Sequence, residues 1–209
     1  MKLDPDKIYL LDGGFFSHLE KSLPKSVEDP LWGCGALHTH PDQVVQVHRD
    51  YLEAGSMILT TNTYQSSVPM FIKHLPTTGD RDEERDLDAY GLYETSVKLC
   101  DQAYKEVHGV ERYGPVAGSI GPYGACQGDG SEYSGDYVDR LTTKELEHWH
   151  FQRIKRLMIA GVDLFAVETI PSVKEAVGKS GPLLLGNPLR DESTLNSRWY
   201  FELNSIREP

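Results

Sequence analysis

Two acidic residues stand where short apolar runs end. Ile8-Tyr9-Leu10-Leu11 stops at Asp12-Gly13-Gly14, and Val162 to Val167, interrupted only by Asp163, stops at Glu168. An apolar run broken by polar residues or paired glycines reads as a buried strand entering a turn. Each carboxylate is therefore expected at the C-terminal end of a strand, and two carboxylates at one mouth can clamp an ammonium group by charge-assisted hydrogen bonds. Gly13 and Gly14 allow close backbone approach to a ligand and offer N–H groups to a carboxylate. Thr60-Thr61-Asn62-Thr63 follows a third apolar run, Met57-Ile58-Leu59, and carries hydroxyl and amide groups for hydrogen bonding. Plainer roles exist for each: an Asx turn at Asp12, an ion pair between elements at Glu168, a tight turn at the glycines and capping at the threonines.

The elements that would position these residues alternate. Residues 41–54 are predicted as a helix, with Pro41 at its first position, Val44, Val47 and Tyr51 at helical spacing, and Gly55 as the stop. Residues 77–88, rich in Asp, Glu and Arg, read as a solvated loop running into a helix. From 88 to 107, Tyr90, Tyr93, Val97, Cys100, Tyr104 and Val107 recur every three or four residues, an amphipathic helix with Cys100 in its core face. Pro115 to Ile120 is a strand, followed by a Gly-rich acidic loop to about 139. Thr142-x-x-Glu145 and Ser172-x-x-Glu175 are capping boxes opening two further helices. Ala54 to Thr63 can be laid on Ala160 to Thr169 as a weak repeat: helix end, Ala-Gly, apolar strand, polar mouth. This alternation indicates parallel βα units, which place their sites at the C-terminal ends of strands.

Composition narrows the function classes. The chain has 209 residues, 39 % of them hydrophobic, and a net charge of −11. A core is affordable, and an acidic surface disfavours nucleic acid and anionic membranes as partners. No apolar run approaches the length of a membrane span, and Met1 to Lys7 lacks the pattern of a secretion signal, so a cytoplasmic protein is expected. Cys34, Cys100 and Cys126 are too few and too scattered for a disulfide framework or a CxxC metal site. Asp129, Glu132 and Asp136 do not have EF-hand spacing and read as a solvated or lid loop. His38, His40, His48, His148 and His150 read as surface or core histidines; His148 and His150, two apart, make a poor metal pair on a helix.

The ordered set of motifs resembles the homocysteine S-methyltransferase family. It comprises Asp12-Gly13-Gly14, Asp29-Pro30-Leu31-Trp32, His48 to Gly55, Thr60 to Gln65, Gly118 to Ala125, Gly130 to Tyr137 and Glu168-Thr169-Ile170-Pro171. The resemblance covers roughly residues 8–176. It implies a (β/α)8 TIM-type barrel and methyl transfer from S-methylmethionine, S-adenosylmethionine or betaine to homocysteine, giving methionine. It assigns Asp12 and Glu168 to homocysteine binding, with Gly13, Gly14, Thr60, Asn62 and Thr63 beside them. In the betaine-using branch it makes Trp32 and Tyr64 walls of the methyl-donor pocket, where an aromatic face suits a sulfonium or quaternary ammonium group. Core packing is the plainer role for both aromatics.

The same resemblance implies zinc, held by three cysteines, keeping the homocysteine sulfur as the nucleophilic thiolate. Cys34, Cys100 and Cys126 match none of the family's three ligand positions. The pattern stops near Val177, so residues 1–176 correspond to the N-terminal half of a barrel, about four βα units, and 177–209 form a divergent tail that is expected to be poorly ordered. The expectations are an incomplete barrel domain with no bound zinc, inactive alone, whose open edges invite self-association. The alternative is a non-catalytic amino-acid-binding or regulatory partner of a full-length relative.

Overall fold

Three strands pair side by side in chain order, all parallel: β1 (Leu59–Thr60), β2 (Val116–Ile120) and β3 (Leu164–Glu168). A fourth, β4 (Tyr200–Glu202), pairs parallel to β3, with Glu168 opposite Glu202. The helices are α1 (Phe15–Leu19), α2 (Ala36–Thr39), α3 (Pro41–Glu53), α4 (Val68–His74), α5 (Asp82–His108), α6 (Ser131–Ser134) and α7 (Thr143–Ala160). This computed structural model describes residues 3–4, 6–23, 31, 33–75, 82–177 and 200–202, with 82–87 and 200–202 as backbone. The architecture is α/β with a partial parallel sheet of the TIM-barrel type: neighbours in the sheet are neighbours in sequence, and helices fill the connections. Of the tail, the structure describes Val177 and β4; the rest lies outside the described residues.

The sheet's two faces pack into separate clusters. Leu59, Val116, Ile120, Phe165 and Val167 pack into the main core with Val44, Val47, Leu92, Tyr93, Cys100, Tyr104 and Leu157 from α3, α5 and α7. Residues of opposite parity, Ile58, Ala117, Leu164 and Ala166, form a smaller cluster with Leu3 and Tyr9 on the other face. The period of two along each strand thus sends one row of side chains to the helices and the other, including Ala117 and Ala166, to the opposite face. Thr60, Ser119 and Glu168 continue the second row to the C-terminal ends of their strands.

The predicted strand at 8–11 is reduced to one parallel bridge between Leu11 and Ile58. The amides of Met57 and Ile58 both donate to the Leu10 carbonyl, and the Asp12 amide donates to the Ile58 carbonyl. Ile8, Leu10 and Leu11 remain 88 %, 57 % and 46 % exposed. β1 is short because the chain leaves the ladder at once: the Thr61 amide still reaches the Ala117 carbonyl, but the Thr63 amide turns back to Thr61.

The stretch 77–88, read as a solvated loop running into a helix, enters that helix earlier than the pattern predicts. α5 starts at Asp82, where acidic residues in the first turn favour a helix N-terminus; 76–81 lie outside the described residues. The loop after β2 is also more regular than expected, with 3-10 turns at Tyr123–Cys126 and Val138–Arg140 around α6. α4 carries a signal that was open to reading: Ser67 caps it by accepting from the Met70 amide at 3.3 Å, and Pro69 sits in its first turn. The repeat has a structural basis. Gly55 and Gly161 each end a helix in the left-handed region, at φ 104° and 91°, just before a strand. The Thr142 capping box closes in both directions. The Ser172 box closes only halfway: Ser172 Oγ accepts from the Glu175 amide at 3.2 Å, but the Glu175 side chain is held elsewhere.

Candidate functional site

Asp12 is the best-anchored carboxylate at the C-terminal mouth. Its side chain is 9 % exposed. The Thr60 amide donates to Oδ2 at 2.7 Å and the Thr60 hydroxyl to Oδ1 at 2.9 Å. Burial pushes its pKa up to about 7; the Thr60 bonds oppose that shift, and the charge of Glu168 adds to it. Asp12 therefore changes charge near neutral pH, and its anion gains from any cation brought alongside.

Glu168 ends β3, partly exposed, and accepts from the Ser119 hydroxyl at 3.0 Å. Ser119 is itself fixed by its neighbours. Its amide donates to Thr61 Oγ1 at 3.0 Å, and its carbonyl accepts from the Thr63 hydroxyl at 2.9 Å. Thr61 and Thr63 hydroxyls share a 2.6 Å hydrogen bond. The structure thus brings Asp12, Thr60 and Glu168 together. Thr63, fully buried, serves the strand ends, and the Asn62 amide donates to the Gly33 carbonyl at 2.8 Å, tying down the loop before α2.

Gly13 and Gly14 are exposed beside Asp12. Gly14 precedes α1, and its carbonyl accepts from the Tyr51 hydroxyl at 3.1 Å. Tyr64 sits after β1, half-buried, its phenol pushed up by burial and by the charges of Glu132 and Glu168, with a hydrogen bond to the Thr169 side chain opposing this. Gly121 lies directly against it: a Cβ there would come within 2.7 Å of the Tyr64 ring and of its carbonyl oxygen. Thr169 adopts φ 56°, a left-handed conformation that strains a β-branched residue and is typical of functional sites. Trp32 lies outside the described residues.

The residues present do not fit a thiolate-bound metal. The three cysteines are separately buried. The Cys34 thiol donates to the Leu31 carbonyl at 2.8 Å, and the Cys126 thiol to the Gln65 carbonyl at 3.0 Å. Cys100 lies 3.5 Å from His48 Nε2, its thiol held well above the ordinary range by burial. Among the described residues no group of three His, Cys, Asp or Glu side chains is placed to hold a metal ion. Nor is any described helix long and apolar enough to cross a membrane. Of the histidines, His38 and His148 are exposed and His48 and His150 fully buried.

Sequence reasoning passed over a cluster just outside the mouth. Arg153 on α7 is 1 % exposed, with His150 and Glu175 fully buried beside it. The signal was available, since Leu146, His150, Arg153 and Leu157 recur at helical spacing and a cation sits within that apolar stripe. Ser119 gave no signal beyond being a polar residue near the end of an apolar run.

Comparison with known proteins agrees with the geometry. A family model described as homocysteine S-methyltransferase matches residues 9–179. The chain is 43 % identical over 180 residues to a betaine-homocysteine S-methyltransferase of Drosophila melanogaster, covering 83 % of this chain and 52 % of the relative. It is 38 % identical over 175 residues to homocysteine S-methyltransferase 1 of Zea mays, covering 80 % and 51 %. The crystal structure of the homocysteine methyltransferase MmuM from Escherichia coli, in its metallated form, superposes with a TM-score of 0.73 at 30 % identity, covering 94 % of this chain and 63 % of that one. The chain spans about half the length of the curated relatives it matches.

Proposed function

The chain belongs to the homocysteine S-methyltransferase family, and from that premise we propose that it forms the amino-acid-binding half of a homocysteine site. Asp12 and Glu168 receive the α-ammonium group, the exposed backbone at Gly13 and Gly14 faces the carboxylate, and Tyr64, with Trp32, walls the onium methyl donor. The observation that carries this reading is the pair of carboxylates, Asp12 just after the Leu11 bridge and Glu168 at the end of β3, each held by a hydroxyl donor, Thr60 or Ser119, and close enough to feel each other's charge.

In the family reaction the homocysteine sulfur attacks the donor methyl carbon. A sulfur–carbon bond forms, the onium–methyl bond breaks, and its electron pair stays on the donor. The nucleophile must be a thiolate. This chain's three cysteines donate to carbonyls or lie singly in the core, so the chain is expected to bind the amino acid without turning it over. Zinc binding is not expected of it.

The test uses the purified chain. Calorimetry with L-homocysteine should show binding that strengthens as pH rises through about 7, where Asp12 ionises. Asp12→Asn and Glu168→Gln should each weaken it about tenfold or more, the scale of one charge-assisted hydrogen bond. Unchanged affinity in both variants overturns the site. Methionine formed with zinc and betaine, S-methylmethionine or S-adenosylmethionine overturns the expectation of inactivity. A second reading, a non-catalytic binding partner that self-associates or pairs with a longer relative, is supported by the exposed apolar edge at Ile8, Leu10 and Leu11. Sedimentation of the pure chain as a monomer, with no capture of a full-length relative, speaks against it.

A further inference from the structure

Arg153 reaches both loops that leave the first two strands. Its Nη1 donates to the carbonyls of Tyr64 at 3.4 Å and Ser66 at 3.3 Å, after β1. Its Nη2 donates to the carbonyl of Gly121, after β2. The guanidinium stacks 4.4 Å from the Trp149 ring centre. It also meets His150 Nδ1, at 2.8 Å from Nη2 and 3.3 Å from Nε. An arginine can only donate, so His150 Nδ1 must be the acceptor and its proton must sit on Nε2. That proton points to Glu175 Oε1 at 2.8 Å. Glu175, after β3, also accepts from the Tyr123 amide at 2.7 Å and from the Tyr137 hydroxyl, both in the loop after β2.

One buried chain, Arg153–His150–Glu175, therefore touches the segments that follow β1, β2 and β3. The negative end accounts for Glu175 abandoning its capping box. The positive end accounts for an arginine within an apolar stripe. The carbonyl of the proposed donor wall, Tyr64, is among the groups held.

We infer that Arg153, held by a neutral Nε2-protonated His150 against Glu175, is a positioning residue for the methyl-donor wall: it fixes Tyr64 and Gly121 through their main-chain carbonyls and keeps the Tyr64 ring against the mouth. This rests on the reading of Tyr64 given above, but its test does not require ligand. Tyrosine nitration by tetranitromethane, mapped by mass spectrometry, reads the accessibility of Tyr64 against Tyr113, which is 60 % exposed just before β2. In the native chain Tyr64 should react at least tenfold more slowly than Tyr113.

Arg153→Lys keeps the charge but loses the fork that serves three carbonyls and one imidazole. Arg153→Met/Glu175→Gln removes both buried charges together, so that neither is left uncompensated. In both variants the Tyr64 rate should rise towards that of Tyr113 while the fold is retained by circular dichroism. Tyr64 still protected in either folded variant overturns the inference. Should neither variant fold, nitrogen NMR of the native chain decides: a proton on His150 Nδ1 overturns the inference, and one on Nε2 supports it. Loss of homocysteine binding in the native chain overturns the proposed function alone and leaves this result standing.

Discussion

Among the described residues, two regions bury charge with opposite logic. At the mouth, Asp12 is buried against Thr60 and near Glu168, so neutral donors support it and a like charge opposes it. Behind the mouth, Arg153 and Glu175 are buried with a histidine between them, so each charge has its opposite one residue away. The first arrangement carries excess negative charge and is complementary to a cation from outside. The second is closed upon itself. A buried charge left incompletely compensated marks where a ligand belongs; a compensated one marks where loops are held.

The sharpest way to break this comparison is to remove one charge from each region. Arg153→Met leaves Glu175 buried without its cation and should cost about 3–5 kcal/mol, read as a lower urea midpoint with unchanged slope. The double variant Arg153→Met/Glu175→Gln should recover much of that loss. A single variant as stable as the native chain would show that the ionic chain is dispensable to the fold.

Asp12→Asn tests the other region and should behave in the opposite sense. The folded-state pKa of Asp12, about 7, lies above its unfolded value near 3.8. Stability tied to the protonated acid is then complete below the unfolded value and is lost as pH rises through 7. Between pH 5 and pH 8 the native chain should lose about 3 kcal/mol relative to Asp12→Asn. A flat difference between the two proteins over that range would mean that Asp12 is ionised throughout and that the mouth is less desolvated than its geometry suggests.

Both carboxylates of the mouth were legible because strand-end polar residues are read from hydrophobic pattern alone: Asp12 and Glu168 each follow an apolar run. The helices α3, α5 and α7 were legible from their stripes, and Thr142 from its capping box. What escaped was whatever depends on partners distant in sequence. The run at 8–11 has strand composition, yet a strand needs a ladder, and here one bridge to Ile58 is made. The spacing Ser172-x-x-Glu175 predicts a capping glutamate; its side-chain partners Tyr123, Tyr137 and His150 lie 25 to 52 residues away. The pattern leaves Thr60 and Thr63 open between ligand contacts and capping, and their hydroxyls hold Asp12 and Ser119. Local pattern finds where a site sits, and tertiary contact decides which of its polar groups are already engaged.

Ser119 supplies the finest test. It lies inside the sheet, its hydroxyl donates to Glu168 at 3.0 Å, and its backbone is locked to Thr61 and Thr63. Ser119→Ala removes the donor while leaving those backbone bonds intact. The cost to folding should be about 1 kcal/mol, the net worth of one hydrogen bond. Were Glu168 merely structural, nothing else would change. If it receives an ammonium group, the carboxylate loses one of the donors that orient it, and homocysteine affinity should fall about threefold to tenfold, more than the stability loss alone predicts for a ligand that binds only the folded state. Calorimetry at saturating folded fraction separates the two. Affinity unchanged in Ser119→Ala, with Asp12→Asn still defective, would assign recognition of the ammonium group to Asp12 and leave Glu168 as a strand-end contact.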